Sequence, residues 1–185
     1  MDAVKYKPIK DIKSYNTTDS NTNNSSEQYV NKDVLSTYIS KDIILSVFDV
    51  AAYVLSKKGT MSTMKLQKLL YYCQVWSLVW DDAPLYNEEI EAWANGPVIR
   101  ELYNFHRGFY LIDSISIGNK DLINQKQKET IDSVLDFYGD KTSQWLIDLT
   151  HVEDPWKSAR KGLTAMERGN NKIPLDSIAE YYSSL

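Results

Sequence analysis

The sequence predicts a mainly α-helical fold: a single compact domain of about six or seven helices with a short β-strand pair, preceded by a flexible polar tail. Three observations carry this. All seven glycines and all five tryptophans of the 185 residues fall after Lys58. Apolar residues recur there at helical spacing between Ser, Thr, Gly and Pro punctuation. Residues 16–26, by contrast, hold no apolar side chain and bury too little surface to offset the entropy of ordering. The expected division is a tail over 1–39 and a helical domain over 40–185.

The elements follow in order. Ser40 caps a helix to Lys58, with Ile44, Val47, Phe48, Ala51, Val54 and Leu55 on one stripe and Gly59 as its stop. Ser62 or Thr63 caps the next, to Trp80. Leu66, Leu69, Leu70, Cys73, Trp76 and Trp80 form one face, and Tyr71, Tyr72, Val75, Leu78 and Val79 fill much of the rest. A helix apolar on most sides is surrounded by others, so this one is central. Pro84 ends it. Residues 85–93 alternate loosely, as a short strand pair or an extended loop. Asn95-Gly96-Pro97 reads as a turn placing proline first in a helix over 98–106. After an irregular stretch, a helix over 122–138 carries Ile131, Val134, Leu135 and Tyr138, closed by Gly139. Thr142 starts a short helix with Trp145, Leu146 and Leu149. Asp154-Pro155 is a cap and first turn for another with Trp156 and Ala159. Ile178, Tyr181, Tyr182 and Leu185 share a face of the last helix.

Charge and composition exclude several functions. The tail holds five Lys and five acidic residues, leaving the domain 16 (21 − 5) basic against 20 (25 − 5) acidic side chains. An acidic domain repels a polyanion, which argues against nucleic acid as a partner. Lys5, Lys7, Lys10 and Lys13 read as a solvated basic segment. The single Cys73 permits no internal disulfide or multi-cysteine metal site. No apolar run reaches bilayer length and residues 1–13 are polar and lysine-rich, so a cytoplasmic, reduced protein is expected.

The motif inventory is equally sparing. With two histidines there is no His-Glu-x-x-His, and no Gly-rich phosphate loop or Gly-x-Ser-x-Gly occurs. Cys73 and His151 form a formal nucleophile–base pair, but Cys73 lies on the apolar stripe of the central helix, where a thiol is an inert hydrophobe. His151, Glu153 and Asp154 share a turn able to bind metal or move a proton. The structural alternative has the acids favouring a helix N-terminus, Asp154 as cap and His151 bonded to a neighbouring loop. Glu88, Glu89 and Glu91 read as solvated, or as holding at least one internal ion pair. Thirteen tyrosines and five tryptophans favour a protein-binding module over an enzyme. All five tryptophans are expected in the core, and Tyr86, Tyr103, Tyr110, Tyr181 and Tyr182 half exposed.

Several of these residues also carry a family likeness. They are Lys65, Gln67, Lys68, Tyr71, Gln74 and Trp76, then Glu89, Glu91, Trp93, Gly96, Pro97 and Tyr103, then His151, Glu153, Pro155 and Trp156. In this order they resemble the Panacea domain family, which includes SocA-like, phage-associated antitoxins, over about residues 42–183. The resemblance implies a helical, non-enzymatic antitoxin without cofactor or metal, encoded beside a toxin gene and neutralising a cognate protein toxin by direct binding. It also leaves open a proteolytic adaptor delivering toxin to a ClpXP-type protease, or a mobile-element inhibitor of host defence. Neither a membrane nor nucleic acid is expected as partner. Residues outside the shared core set toxin choice in this family, which makes Tyr29, Val30, Val34, Leu35 and Tyr38 of the tail a candidate toxin-binding segment. A hydrolase or transferase using His151 and Glu153 is the enzymatic alternative.

Overall fold

Helix α2 (Thr63–Trp80) organises the chain: every residue from 66 to 77 is buried, and Ser62 caps it by accepting from the Lys65 amide at 3.2 Å. The computed structural model describes residues 7–10 and 45–185. Among these, the other helices are α1 (Val47–Lys58), α3 (Arg100–His106), α4 (Gln125–Tyr138), α5 (Ser143–Val152), α6 (Asp154–Ala159) and α7 (Leu175–Ser183). Helices α1, α4, α5 and α7 pack around α2, and the core runs along its length. Two antiparallel pairs complete the domain: β1 (Met61–Ser62) with β4 (Leu111–Ile112), and β2 (Ile90–Trp93) with β3 (Gly96–Ile99). The expected mainly α domain is therefore correct. No helix among the described residues is long and apolar enough to cross a membrane.

Several boundaries differ from the sequence reading. Helix α1 is capped by Ser46, in a reciprocal box with Asp49, rather than by Ser40; residues 40–44 lie outside the described residues. Residue 45 bridges to Tyr86, which holds the backbone extended just before the cap. Helix α4 starts at Gln125, where Asn124 and Gln127 form a second capping box, and a 3-10 turn occupies Lys120–Leu122.

Pro97 does not begin a helix. It sits in β3 opposite Ala92, and the helix starts three residues later at Arg100. A proline is tolerated there because Ala92 sends its amide outward, to the Asn171 carbonyl at 2.8 Å, so no ladder donor is needed from residue 97. The pairing partner of β2 is thus β3, and residues 85–89 run extended beside α2.

The aromatic forecast is corrected in part. Trp76 and Trp156 are buried, but Trp80, Trp93 and Trp145 are half-buried. Tyr86 and Tyr182 are fully buried because the interior supplies partners: the Tyr86 hydroxyl donates to the Leu70 carbonyl at 3.1 Å, and Tyr182 meets the Tyr71 hydroxyl at 3.3 Å. Tyr103 and Tyr181 are half-buried, while Tyr110 is fully exposed. Residues 7–10, assigned by composition to the tail, run beside the end of α2, where Pro8 is buried and the Lys10 ammonium pairs with Asp81 at 2.6 Å.

Candidate functional site

Burying α2 on all sides forces its polar side chains to find partners inside the fold. Three of them clamp the neighbouring extended backbone. The Gln67 side chain accepts from the Ile99 amide at 2.8 Å and donates to the Ile99 carbonyl at 3.2 Å. Its amide nitrogen also lies 3.1 Å from His106 Nε2, which must therefore accept, and burial lowers the His106 pKa in agreement with a neutral ring. Two turns on, the Gln74 side chain accepts from the amides of Leu85 and Tyr86 at 2.8 and 3.2 Å and donates to the Tyr86 carbonyl at 3.0 Å.

Lys68 is the third clamp and the least expected. Its side chain is wholly buried, its ammonium donates to the Pro97 carbonyl at 2.7 Å, and burial pushes its pKa down to about 7. Gly96 makes room for it: a β-carbon there would lie 2.8 Å from both Lys68 Cε and Thr150 Oγ1.

The turn after α5 supplies a buried acid. Glu153 accepts from the Tyr72 hydroxyl at 3.1 and 3.2 Å and is hydrogen-bonded by Tyr182. Burial raises its carboxyl to about 8 in spite of these two donors. Glu153, at the cap position of α6, makes no side-chain cap bond, and Asp154 is the exposed first helical residue, paired with Lys157 at 2.6 Å. The expected Asp154 cap is thus absent, because Glu153 turns inward to the tyrosines. Pro155 occupies the first turn as expected. His151 stacks on Trp156 at 4.2 Å, bonds to the Ala94 backbone as anticipated, and leaves its buried Nε2 without a partner.

Outside this core, Glu91 receives hydrogen bonds from Arg100 Nε and Trp93 Nε1, each at 2.7 Å, and a second ion-pair contact from Arg100 Nη2. Burial raises its carboxyl, but the Arg100 and Trp93 bonds outweigh that and hold it below its ordinary value. The Arg100 guanidinium lies 5.3 Å from the Trp93 ring, whose edge-to-face neighbour at 4.7 Å is Tyr103. Glu89 pairs with Lys172, and Glu88 accepts from Ser46 Oγ and the Val47 amide, both at 3.0 Å, where a helix N-terminus welcomes negative charge. Lys65 is half-buried, with its pKa lowered by burial. Trp76 donates from Nε1 to the Tyr138 hydroxyl at 3.3 Å.

The likeness residues therefore come together chiefly as internal clamps. Among the described residues no hydrogen bond joins Cys73 to His151, and the buried thiol is driven strongly upward in pKa by desolvation. No cluster of three or more His, Cys, Asp or Glu that could hold a metal ion occurs among the described residues. The candidate tail residues Tyr29, Val30, Val34, Leu35 and Tyr38 lie outside the described residues.

Two surface features escaped sequence reasoning. A cleft of about 820 Å³ opens between the β2–β3 turn, α3 and the loop over 166–170. Arg100, Arg107 and Arg168 line it, and no acidic side chain does. Arg160 holds the loop wall by donating to the carbonyls of Ala92, Thr164 and Glu167 at 3.0, 2.9 and 2.8 Å. Phe109 lines the cleft and stands 67% exposed, and its chain neighbours Phe105, Tyr110 and Leu111 stand 38%, 80% and 54% exposed. The one available signal was that all four arginines of the chain fall between residues 100 and 168.

The interior polar groups Gln67 and Lys68 thus lock the β2–β3 hairpin onto the central helix of a helical scaffold. Residues 66–157 match the family model described as Antitoxin SocA-like, Panacea domain, so this stretch of the chain carries that domain. An antitoxin-type role and a protein partner such as a toxin accompany the family. No curated protein and no solved structure matches the chain.

Proposed function

We propose that this chain is a cytoplasmic antitoxin that neutralises a cognate protein toxin by direct, non-catalytic binding. The observation that carries this reading is the exposed apolar run Phe109, Tyr110, Leu111, two rings and an aliphatic side chain. Its backbone is pinned to the start of α2: the Thr63 amide donates to the Tyr110 carbonyl at 3.0 Å, and Thr63 Oγ1 to the Phe109 carbonyl at 3.2 Å. The side chains are thus presented outward from backbone tied to α2 just before and at the start of β4, so little backbone entropy remains to be lost on docking. Large ring side chains presented this way supply most of the energy of protein–protein contacts. Gln67, Lys68, Gln74 and Glu153 of the family likeness spend their bonds inside the fold, which leaves recognition to this exposed run.

The test is rescue of growth, in cells expressing the neighbouring open reading frame, by the full chain and by the double variant Phe109→Ala, Tyr110→Ala. We expect the wild type to rescue growth and to bind the purified toxin. The variant should remain folded, bind at least 10-fold more weakly and rescue poorly. Rescue that persists without any measurable complex, or only in cells holding a ClpXP-type protease, would remove direct blocking in favour of delivery for degradation.

A further inference from the structure

We infer that the arginine-lined cleft receives an acidic, extended segment of the partner polypeptide, with an apolar residue beside its carboxylates. This deepens, and rests on, the reading of the chain as a toxin-binding protein. The domain carries four more acidic than basic side chains (20 against 16), yet the cleft wall holds three arginines and no Asp or Glu. Arg100 is already spent on Glu91 and Trp93. Arg107 and Arg168 are exposed, and neither makes a hydrogen bond or ion pair among the described residues. They flank the opening from α3 and from the loop that Arg160 anchors, and a guanidinium fork grips a carboxylate in a bidentate manner. Phe109 and Met166, 67% and 84% exposed, line the same cleft and offer the apolar seat.

Nucleic acid is the less suitable occupant. Base stacking needs free ring faces, and Trp93, the largest ring of the wall, is covered by Arg100 and abutted by Tyr103, which leaves Phe109 as the one well-exposed ring in the lining. Two unpaired cations on an acidic domain also fall short of the several phosphate contacts that strand binding requires.

The experiment uses the full chain and the double reversal Arg107→Glu, Arg168→Glu, with circular dichroism and thermal unfolding as folding controls. Two probes are titrated: the purified toxin, and synthetic peptides of about a dozen residues in three sets, Glu/Phe-rich, Lys/Phe-rich and neutral Ser/Phe-rich. Oligo-dT of similar length is titrated as a fifth ligand. The expected result is binding of the Glu/Phe set alone, weakening as salt rises, and a loss of about 10-fold or more in both peptide and toxin affinity on charge reversal. Toxin affinity that is unchanged by the reversal, while Phe109→Ala, Tyr110→Ala still weakens it, overturns the cleft assignment and leaves the antitoxin reading standing. Absence of toxin binding by the wild type sinks that reading instead, and the peptide arm then decides the cleft separately. Preference for oligo-dT or for the Lys/Phe set overturns the assignment.

Discussion

The Lys68 side chain fills the space that a β-carbon on Gly96 would need, its Cε and Nζ standing 2.8 and 2.9 Å from that position. Gly96 itself has φ +97°, a left-handed conformation that glycine adopts without cost. Gly108 has a similar φ of +92°, with nothing within 4 Å of its would-be β-carbon. The two sites separate backbone strain from steric conflict.

Gly108→Ala should cost about 1 kcal/mol, the strain alone, and Gly96→Ala about 3 kcal/mol or more, because the buried lysine and Thr150 have nowhere to retreat. Urea unfolding of the two variants measures the difference. Equal costs would mean that the Lys68 seat is softer than its packing indicates.

The helical stripes of α1, α2 and α4 are local patterns, read from spacing alone, and the central place of α2 follows from its all-round apolarity. The error at Gly96-Pro97 is different in kind. The dipeptide favours a helix start locally, but the outward Ala92 amide finds its partner at Asn171, some eighty residues distant in sequence. Tyr86 and Tyr182 were misjudged for the same reason, since the groups that satisfy their hydroxyls lie on other elements. The cleft joins α3 to a loop some sixty residues later, and only the crowding of arginines hinted at it.

Glu153 and Lys68 predict opposing effects of pH on stability. The Glu153 carboxyl is raised from 4.5 to about 8 on folding, so the folded state holds a proton that the unfolded chain releases. Its stabilising contribution is full below pH 4.5 and is lost as pH rises to about 8. The Lys68 ammonium is lowered from 10.5 to about 7, so its contribution is full above 10.5 and is lost as pH falls to about 7. Relative to wild type, Glu153→Gln should gain stability steadily from acid to mildly alkaline pH, by on the order of a few kcal/mol. Lys68→Met should lose ground as pH rises above neutrality. Chemical denaturation across that range tests both, and difference curves flat with pH would contradict the burial of these groups.

Gln74 makes a sharper local prediction. Its side chain satisfies three buried backbone groups, those of the Leu85 and Tyr86 amides and the Tyr86 carbonyl. Gln74→Leu keeps the volume but leaves all three unpaired, at a cost of about 2–4 kcal/mol. Amide exchange at Leu85 and Tyr86 should accelerate strongly, while the α4 amides, which share none of these bonds, slow or quicken only with global stability.

Arg160 sets the wall of the cleft, and its geometry distinguishes a fork from a point charge. One guanidinium nitrogen reaches the Ala92 carbonyl, while the other serves Thr164 and Glu167. Its face also lies 5.2 Å from the Trp156 ring. Lysine retains the charge but can neither divide its donors in a plane nor stack. Arg160→Lys should therefore loosen the loop nearly as much as Arg160→Met. Hydrogen exchange over residues 163–170 should rise in both, with the helices α2 and α4 little changed. If lysine fully restores protection, charge alone holds the loop, and the fork geometry does not shape the cleft.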